Sequence, residues 1–167
     1  MLVARSAPEC RLFMDLHACS CGTAAFDAVH TLRTGDNDEL IAVYSGICSG
    51  CGLPQLFEFE LDPRTPPLPP AYGGPNPSRI ICPGQFAIVA DLEARAAAAG
   101  GTAGRAALAR ALAAQVEILK FIPGGGSTVP AEAFTSEEGQ RLYASEPHRF
   151  DADRLAAVAE SYRAMLA

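Results

Sequence analysis

CSCGTAAFDAVHTLRTGDNDELIAVYSGICSGCG, residues 19–52, begins and ends on closely spaced cysteines followed by glycine. Between them, Ala24 to Arg33 alternates: Phe26, Ala28, His30 and Leu32 fall on one face, and Ala25, Asp27, Val29 and Thr31 on the other, the period of a half-buried strand. TGDND, Thr34 to Asp38, is rich in residues that tolerate positive φ or form side-chain turns. Leu40 to Ile47 then returns as a second strand. A hairpin of this kind brings its outer ends together, so the Cys19/Cys21 and Cys48/Cys51 loops are expected to lie side by side.

The alternation resumes after the second loop. Phe57, Phe59 and Leu61 point one way, while Glu58 and Glu60 point to water. Arg11 to Leu16, with Leu12, Met14 and Leu16 on one face, reads as a fourth strand. The expectation is a small antiparallel sheet with both cysteine loops at one end.

Four thiolates from two neighbouring loops suit zinc, which takes N and S ligands in a tetrahedron with Zn–S distances of about 2.3 Å. Cys48 and Cys51 have the usual two-residue spacing, whereas Cys19 and Cys21 are one residue closer. The expected metal ligands are therefore Cys19, Cys21, Cys48 and Cys51, with His17 and Cys10 as the substitutes if the short loop fails. A shell of four protein ligands has no open position, so the Zn2+ is expected to be structural. A thiol–disulfide role for CSGC is the weaker reading, because reactive thiols of that kind sit at helix N-termini and this loop runs into a strand. Cys82 stands alone beside Pro83 and reads as a small buried hydrophobe.

Residues 63–84 hold eight of the thirteen prolines and cannot form a helix interior or central strand. They read as an extended spacer, with Pro66 to Pro70 as an alternative PxxP ligand. Beyond it the pattern is helical. A helix opens at Pro83 and Gly84 and stops at Gly100 and Gly101. Another carries Leu108, Leu112, Val116 and Leu119 and ends at Pro123. A third begins at Thr135, with Glu138 completing a capping box, and the last has Asp151 as N-cap and Leu155, Val158, Ala159, Tyr162 and Leu166 on one stripe. The fold class expected is α+β: a zinc-ribbon-like β subdomain over 1–62, a Pro/Gly-rich connector over 63–84, and a helical subdomain over 85–167 packed on the sheet.

The balance of charge narrows the function classes. The chain carries −6 overall, and residues 1–64 hold four arginines against nine carboxylates. That sign opposes the phosphate neutralisation on which nucleic-acid affinity rests. No run of about 18 apolar residues marks a membrane span, and the first twenty residues lack the apolar core of a secretory signal. A cytoplasmic location, with reduced thiols, is the expectation. PGGGST, Pro123 to Thr128, lacks the lysine of a phosphate loop, GDNDE lacks the rest of a calcium loop, and His30 and His148 have no partner at interpretable spacing. No catalytic constellation is assembled by spacing.

HACSCG, then YSGICSGCGLPQLFEFEL, then YGGPNPSRIICPGQF together resemble a family of uncharacterised bacterial zinc-ribbon-like proteins. Gly73, Gly74, Pro75, Pro77, Ser78, Pro83 and Gly84 match its GGP-x-PS segment and PG helix start, and EILKFIP, Glu117 to Pro123, matches further on. Cys82 departs from the acidic residue the family carries there. The resemblance implies a metal-ligand role for Cys19, Cys21, Cys48 and Cys51 and implies no reaction.

The function expected is that of a non-enzymatic zinc-binding protein acting through protein–protein interaction, of the inhibitor or immunity type, toward an unidentified partner with a basic surface. A nucleic-acid or transcription-associated zinc ribbon is the alternative, and a thiol–disulfide enzyme the second.

Overall fold

The structure, a computed structural model, describes residues 1–64 and 66–167. In chain order the elements are β1 (Leu2–Ala4), α1 (Ala7–Leu16), β2 (Val29–Thr34), β3 (Leu40–Ile47), β4 (Pro54–Leu61), α2 (Pro83–Ala97), α3 (Gly101–Leu119), α4 (Glu137–Ser145) and α5 (Ala152–Leu166), with two 3-10 turns flanking α4. The class is α+β. The four strands lie in the order β1-β4-β3-β2. β2, β3 and β4 are antiparallel, but β1 joins β4 in parallel, so the sheet is mixed rather than wholly antiparallel.

The parallel pairing follows from the other departure. The segment 11–16, expected as a strand, belongs to helix α1. Its buried residues are Glu9, Cys10, Phe13 and Met14, a three- and four-residue spacing that outweighs the alternation of Leu12, Met14 and Leu16. The start is written in the sequence as Ser6-Ala7-Pro8-Glu9: the Ser6 hydroxyl accepts from the Glu9 amide at 3.1 Å, and Pro8 sits in the first turn, where its missing N–H costs nothing. A helix there turns the chain between β1 and the rest of the sheet.

One face of the sheet packs on α1. Phe13 meets Phe57 and Phe59 edge-on, with centroids 6.4 and 5.5 Å apart, and Tyr44 packs edge-on against Phe59. These residues share one apolar cluster with Phe86, Ala114, Ile118, Phe134 and Phe150 of the helical part. The opposite face is open at its cysteine end and closes toward Ile41, which is fully buried. The register puts Val29, Ser45 and Leu56 across from one another, then Thr31, Val43 and Glu58, then Arg33, Ile41 and Glu60. Read from the cysteine end, that face is first apolar and then charged.

Two element boundaries move inward from expectation. The first hairpin strand is regular only from Val29, since Phe26 makes an isolated bridge to Cys48 and packs tilted against Phe57, with centroids 5.7 Å apart. Helix α4 is capped by Ser136, whose hydroxyl accepts from the Gly139 amide at 3.0 Å, in place of Thr135 with Glu138. Gly139 is required for another reason: a Cβ on Gly84 would lie 2.3 Å from its Cα, so α2 and α4 touch backbone to backbone.

Helix α3 shows a larger rotation. Its buried residues include Ala107, Leu108, Ala111, Ala114, Gln115 and Ile118, while Leu112 and Val116 are only half buried. Small alanines let α2 and α5 approach closely, so they take the inward positions that the larger residues were expected to fill. Among its described residues the segment after β4 holds no regular element up to Pro83, and its backbone is tied down: the Tyr72 carbonyl accepts from the Ser6 hydroxyl at 2.5 Å, that of Asn76 from Arg5 at 2.5 Å, and those of Gly73 and Gly74 from Lys120 at 3.1 and 2.8 Å.

Candidate metal centre

The two cysteine loops close in the same manner. In the second, the Cys48 amide donates to the Leu53 carbonyl at 2.9 Å, and the Gly52 amide donates back to the Cys48 carbonyl at 2.9 Å. In the first, the Cys19 amide donates to the Thr23 carbonyl at 3.0 Å, and the Gly22 amide donates to the Cys19 carbonyl at 2.7 Å. The returning bond spans four residues in one loop and three in the other. A tighter turn thus absorbs the residue that CSC lacks. Both turns end at φ values of 86° at Gly22 and 74° at Gly52, a region that favours glycine.

The loops also interlock. A Cβ on Gly50 would lie 2.4 Å from Thr23 Oγ1 and 3.3 Å from Cys21 Sγ, and the Ser49 hydroxyl donates to the Ala25 carbonyl at 2.8 Å. The result is a group of four sulfurs, Cys19, Cys21, Cys48 and Cys51, all within 4.8 Å of one another. Across the loops, Cys19 and Cys51 are 3.6 Å apart and Cys21 and Cys48 are 3.5 Å apart. A ZnS4 tetrahedron with bonds of about 2.3 Å has sulfur edges of about 3.8 Å, so the donor set and its spacing fit a tetrahedral metal. Cys19 and Cys48 are buried, whereas Cys21 and Cys51 reach the surface.

Three of the four thiols are shifted by this crowding and by nearby amides. The Thr23 hydroxyl and amide pull Cys21 down to about 6 from an ordinary 9. Cys19 is also lowered, by the Cys21 amide first and then by its neighbouring sulfurs. Cys51 is helped by the Leu53 amide, yet the adjoining sulfurs drive it up to about 12. The group therefore cannot hold four negative charges unaided, and a dication is the species that removes this conflict. Gln55 adds a donor from β4, its Nε2 lying 3.4 Å from Cys19 Sγ.

The two candidate substitutes lie outside the group. His17 caps α1, donates Nδ1–H to the Phe13 carbonyl at 2.7 Å and stacks on the Phe13 ring at 3.8 Å. Cys10 is fully buried under the sheet beside Tyr44, and burial pushes its thiol up to about 12. Cys82 is buried at the start of α2, where its amide donates to Gln85 Oε1 at 3.0 Å and its sulfur lies 3.3 Å from the Ser136 hydroxyl. The CSGC loop opens onto β4, so no helix begins at its thiols.

The sequence reading missed a second polar cluster. Arg5 pairs with Glu9 at 2.6 Å and with Glu117 Oε2 at 2.9 Å, and Lys120 pairs with Glu117 Oε1 at 2.6 Å. Arg5 and both carboxylates are buried. It joins the residue after β1 to α3, more than a hundred residues on, and only Glu9, the last residue of SAPE, hints at it.

Fold and site together define a mixed α+β protein with a four-cysteine cluster at one end of its sheet. No protein-family model, no curated protein and no solved structure matches the chain. Among the described residues, no helix is long and apolar enough to cross a membrane.

Proposed function

We propose that Cys19, Cys21, Cys48 and Cys51 bind one Zn2+ in a closed, structural site, and that the sheet it stiffens is a docking surface for a protein partner. The observation that carries the metal reading is the convergence of four sulfurs within 4.8 Å, at spacings close to a tetrahedral edge. The resemblance to zinc-ribbon-like proteins belongs to the same proposal.

The docking reading rests on the open face. Val29, Ile47 and Leu56 are more than half exposed beside the cluster, and Leu53 is half exposed in the adjoining loop. Next along the face come Glu58, paired with Arg33 at 3.2 Å, and Glu60, with Asp36, Asp38 and Glu39 at the hairpin end. A metal bound by four thiolates is itself a dianion in net charge. The complementary partner presents an apolar patch bordered by lysine or arginine, and an inhibitor or immunity protein acting on a basic target fits that description. Nucleic acid does not suit a face of this sign.

Two measurements test the two halves. Elemental analysis of the purified chain is expected to give one zinc per chain, and a metal-free folded protein would overturn the metal reading. Against a basic partner, Leu56→Lys is expected to abolish a salt-sensitive complex that Leu92→Lys, on an exposed position of α2, leaves intact. Equal loss in both variants, or in neither, would overturn the docking reading.

A further inference from the structure

A second site lies on the helical part and shares no residue with the cysteine cluster or the sheet. A groove of about 940 Å³ runs along the outer side of α3, between the proline-rich segment and the C-terminal end of α5. Its floor is made of Ala109, Leu112 and Val116, the side of α3 that the packing of Ala107, Ala111 and Ala114 turns outward. Pro67, Pro70 and Pro75 form one wall. The volume is that of a small-molecule site, and apolar walls with a few polar groups at one end are the usual construction of such sites.

The two ends differ in charge. At the far end Lys120 is fully engaged, holding the Gly73 and Gly74 carbonyls and the Glu117 carboxylate. At the near end Arg105 and Arg163 both line the groove and both are exposed. Among the described residues, Arg105 has no carboxylate partner and donates only to the Leu166 carbonyl. Arg163 reaches Glu160 at 2.5 Å across open solvent. Two cations at one end of an apolar trough, on a chain of net charge −6, are complementary to a ligand with one anionic head and an apolar body.

We propose that this groove binds a linear fatty carboxylate as a free monomer, its alkyl chain along Ala109, Leu112 and Val116 and its carboxylate between Arg105 and Arg163. The apolar part of the binding is then a matter of methylenes removed from water, and the charged part a matter of two surface guanidinium groups.

Calorimetry of the full-length chain with dodecanoate, below its micelle-forming concentration, tests this. One saturable site per chain is expected, with affinity rising about fourfold for each methylene added from octanoate upward. Dodecanol is expected to bind more weakly than dodecanoate. Arg105→Glu, a change on the surface that leaves the melting temperature unaltered, is expected to weaken dodecanoate by about fivefold and dodecanol little. Ala109→Trp fills the trough and is expected to abolish binding of both. Should that variant fail to fold, Arg105→Glu and the chain-length series decide. Absence of saturable binding, equal affinity for the acid and the alcohol, or insensitivity to Arg105→Glu would each overturn the proposal. So would self-association of the chain through this face, blocked by the same tryptophan.

Discussion

Two clusters of four polar side chains hold this molecule together, and they are built on opposite plans. Arg5, Glu9, Glu117 and Lys120 carry two charges of each sign, each within 2.9 Å of a partner. Cys19, Cys21, Cys48 and Cys51 are four groups of one kind, crowded within 4.8 Å, and the neighbouring sulfurs push the Cys51 thiol up. The first cluster is neutral and pairs its charges within the chain, with Glu117 Oε2 held by the Arg5 ion pair alone. The second has the donor set and spacing that a tetrahedral cation would complete. A buried polar group without a partner is costly, so the comparison separates a joint of the fold from a site that recruits something from outside.

Metal removal should break the comparison most sharply. Structural zinc contributes roughly 10–16 kcal/mol of apparent binding free energy in small zinc domains, so chelation is expected to loosen the cysteine end and lower the melting temperature substantially. Amide exchange should rise across residues 19–52 while α2, α3 and α5 keep their protection. Acidification should act in the same direction. A Cys21 thiol held near 6 against an ordinary 9 stabilises the fold at high pH, and that contribution is lost as pH falls through about 6. Zinc release, followed by a metallochromic dye, is expected on acidification, as protons compete with the metal for the four thiolates.

Breaking the neutral cluster should be nearly as damaging and leave the metal in place. Arg5→Met leaves Glu9 buried without a cation and Glu117 with Lys120 alone, and is expected to cost about 3–5 kcal/mol in denaturant unfolding, with zinc content unchanged. A smaller effect should come from Gly73→Ala, because the added Cβ would lie 2.5 Å from Arg5 Cζ and displace the guanidinium; about 1–3 kcal/mol is expected. Smallest of all, Leu56→Lys on the open face should change stability by no more than about 0.5 kcal/mol and zinc content not at all. A larger loss would mean that this face is part of the core.

The two clusters were not equally legible in the sequence. The cysteine group could be read because both halves of the pattern lie at the ends of one hairpin, so local alternation and turn chemistry were enough to bring them together. The ion cluster draws on residues 5, 9, 117 and 120, and no local pattern links the first pair to the second. Helix α1 was misread for a related reason. Leu12, Met14 and Leu16 alternate, but α1 buries Cys10, Phe13 and Met14 against the sheet, and tertiary packing chose the helical period. The Ser6 cap that marks the start lies five residues before the alternating stretch. On α3 the positions of Leu108, Leu112, Val116 and Leu119 identified a helix, while its orientation depended on where alanine permits close approach to α2 and α5. Hydrophobicity alone does not carry that information. The short CSC spacing was the doubtful point of the metal site, and the three-residue return of Gly22 to Cys19 shows how the chain accommodates it.

The proposed zinc site is tested most directly at its ligand atoms. X-ray absorption at the zinc edge of the purified protein is expected to show four sulfurs at about 2.3 Å and no nitrogen or oxygen in the shell. A shell containing an imidazole nitrogen, or protein that holds no zinc and carries its four cysteines as two disulfides, would contradict it.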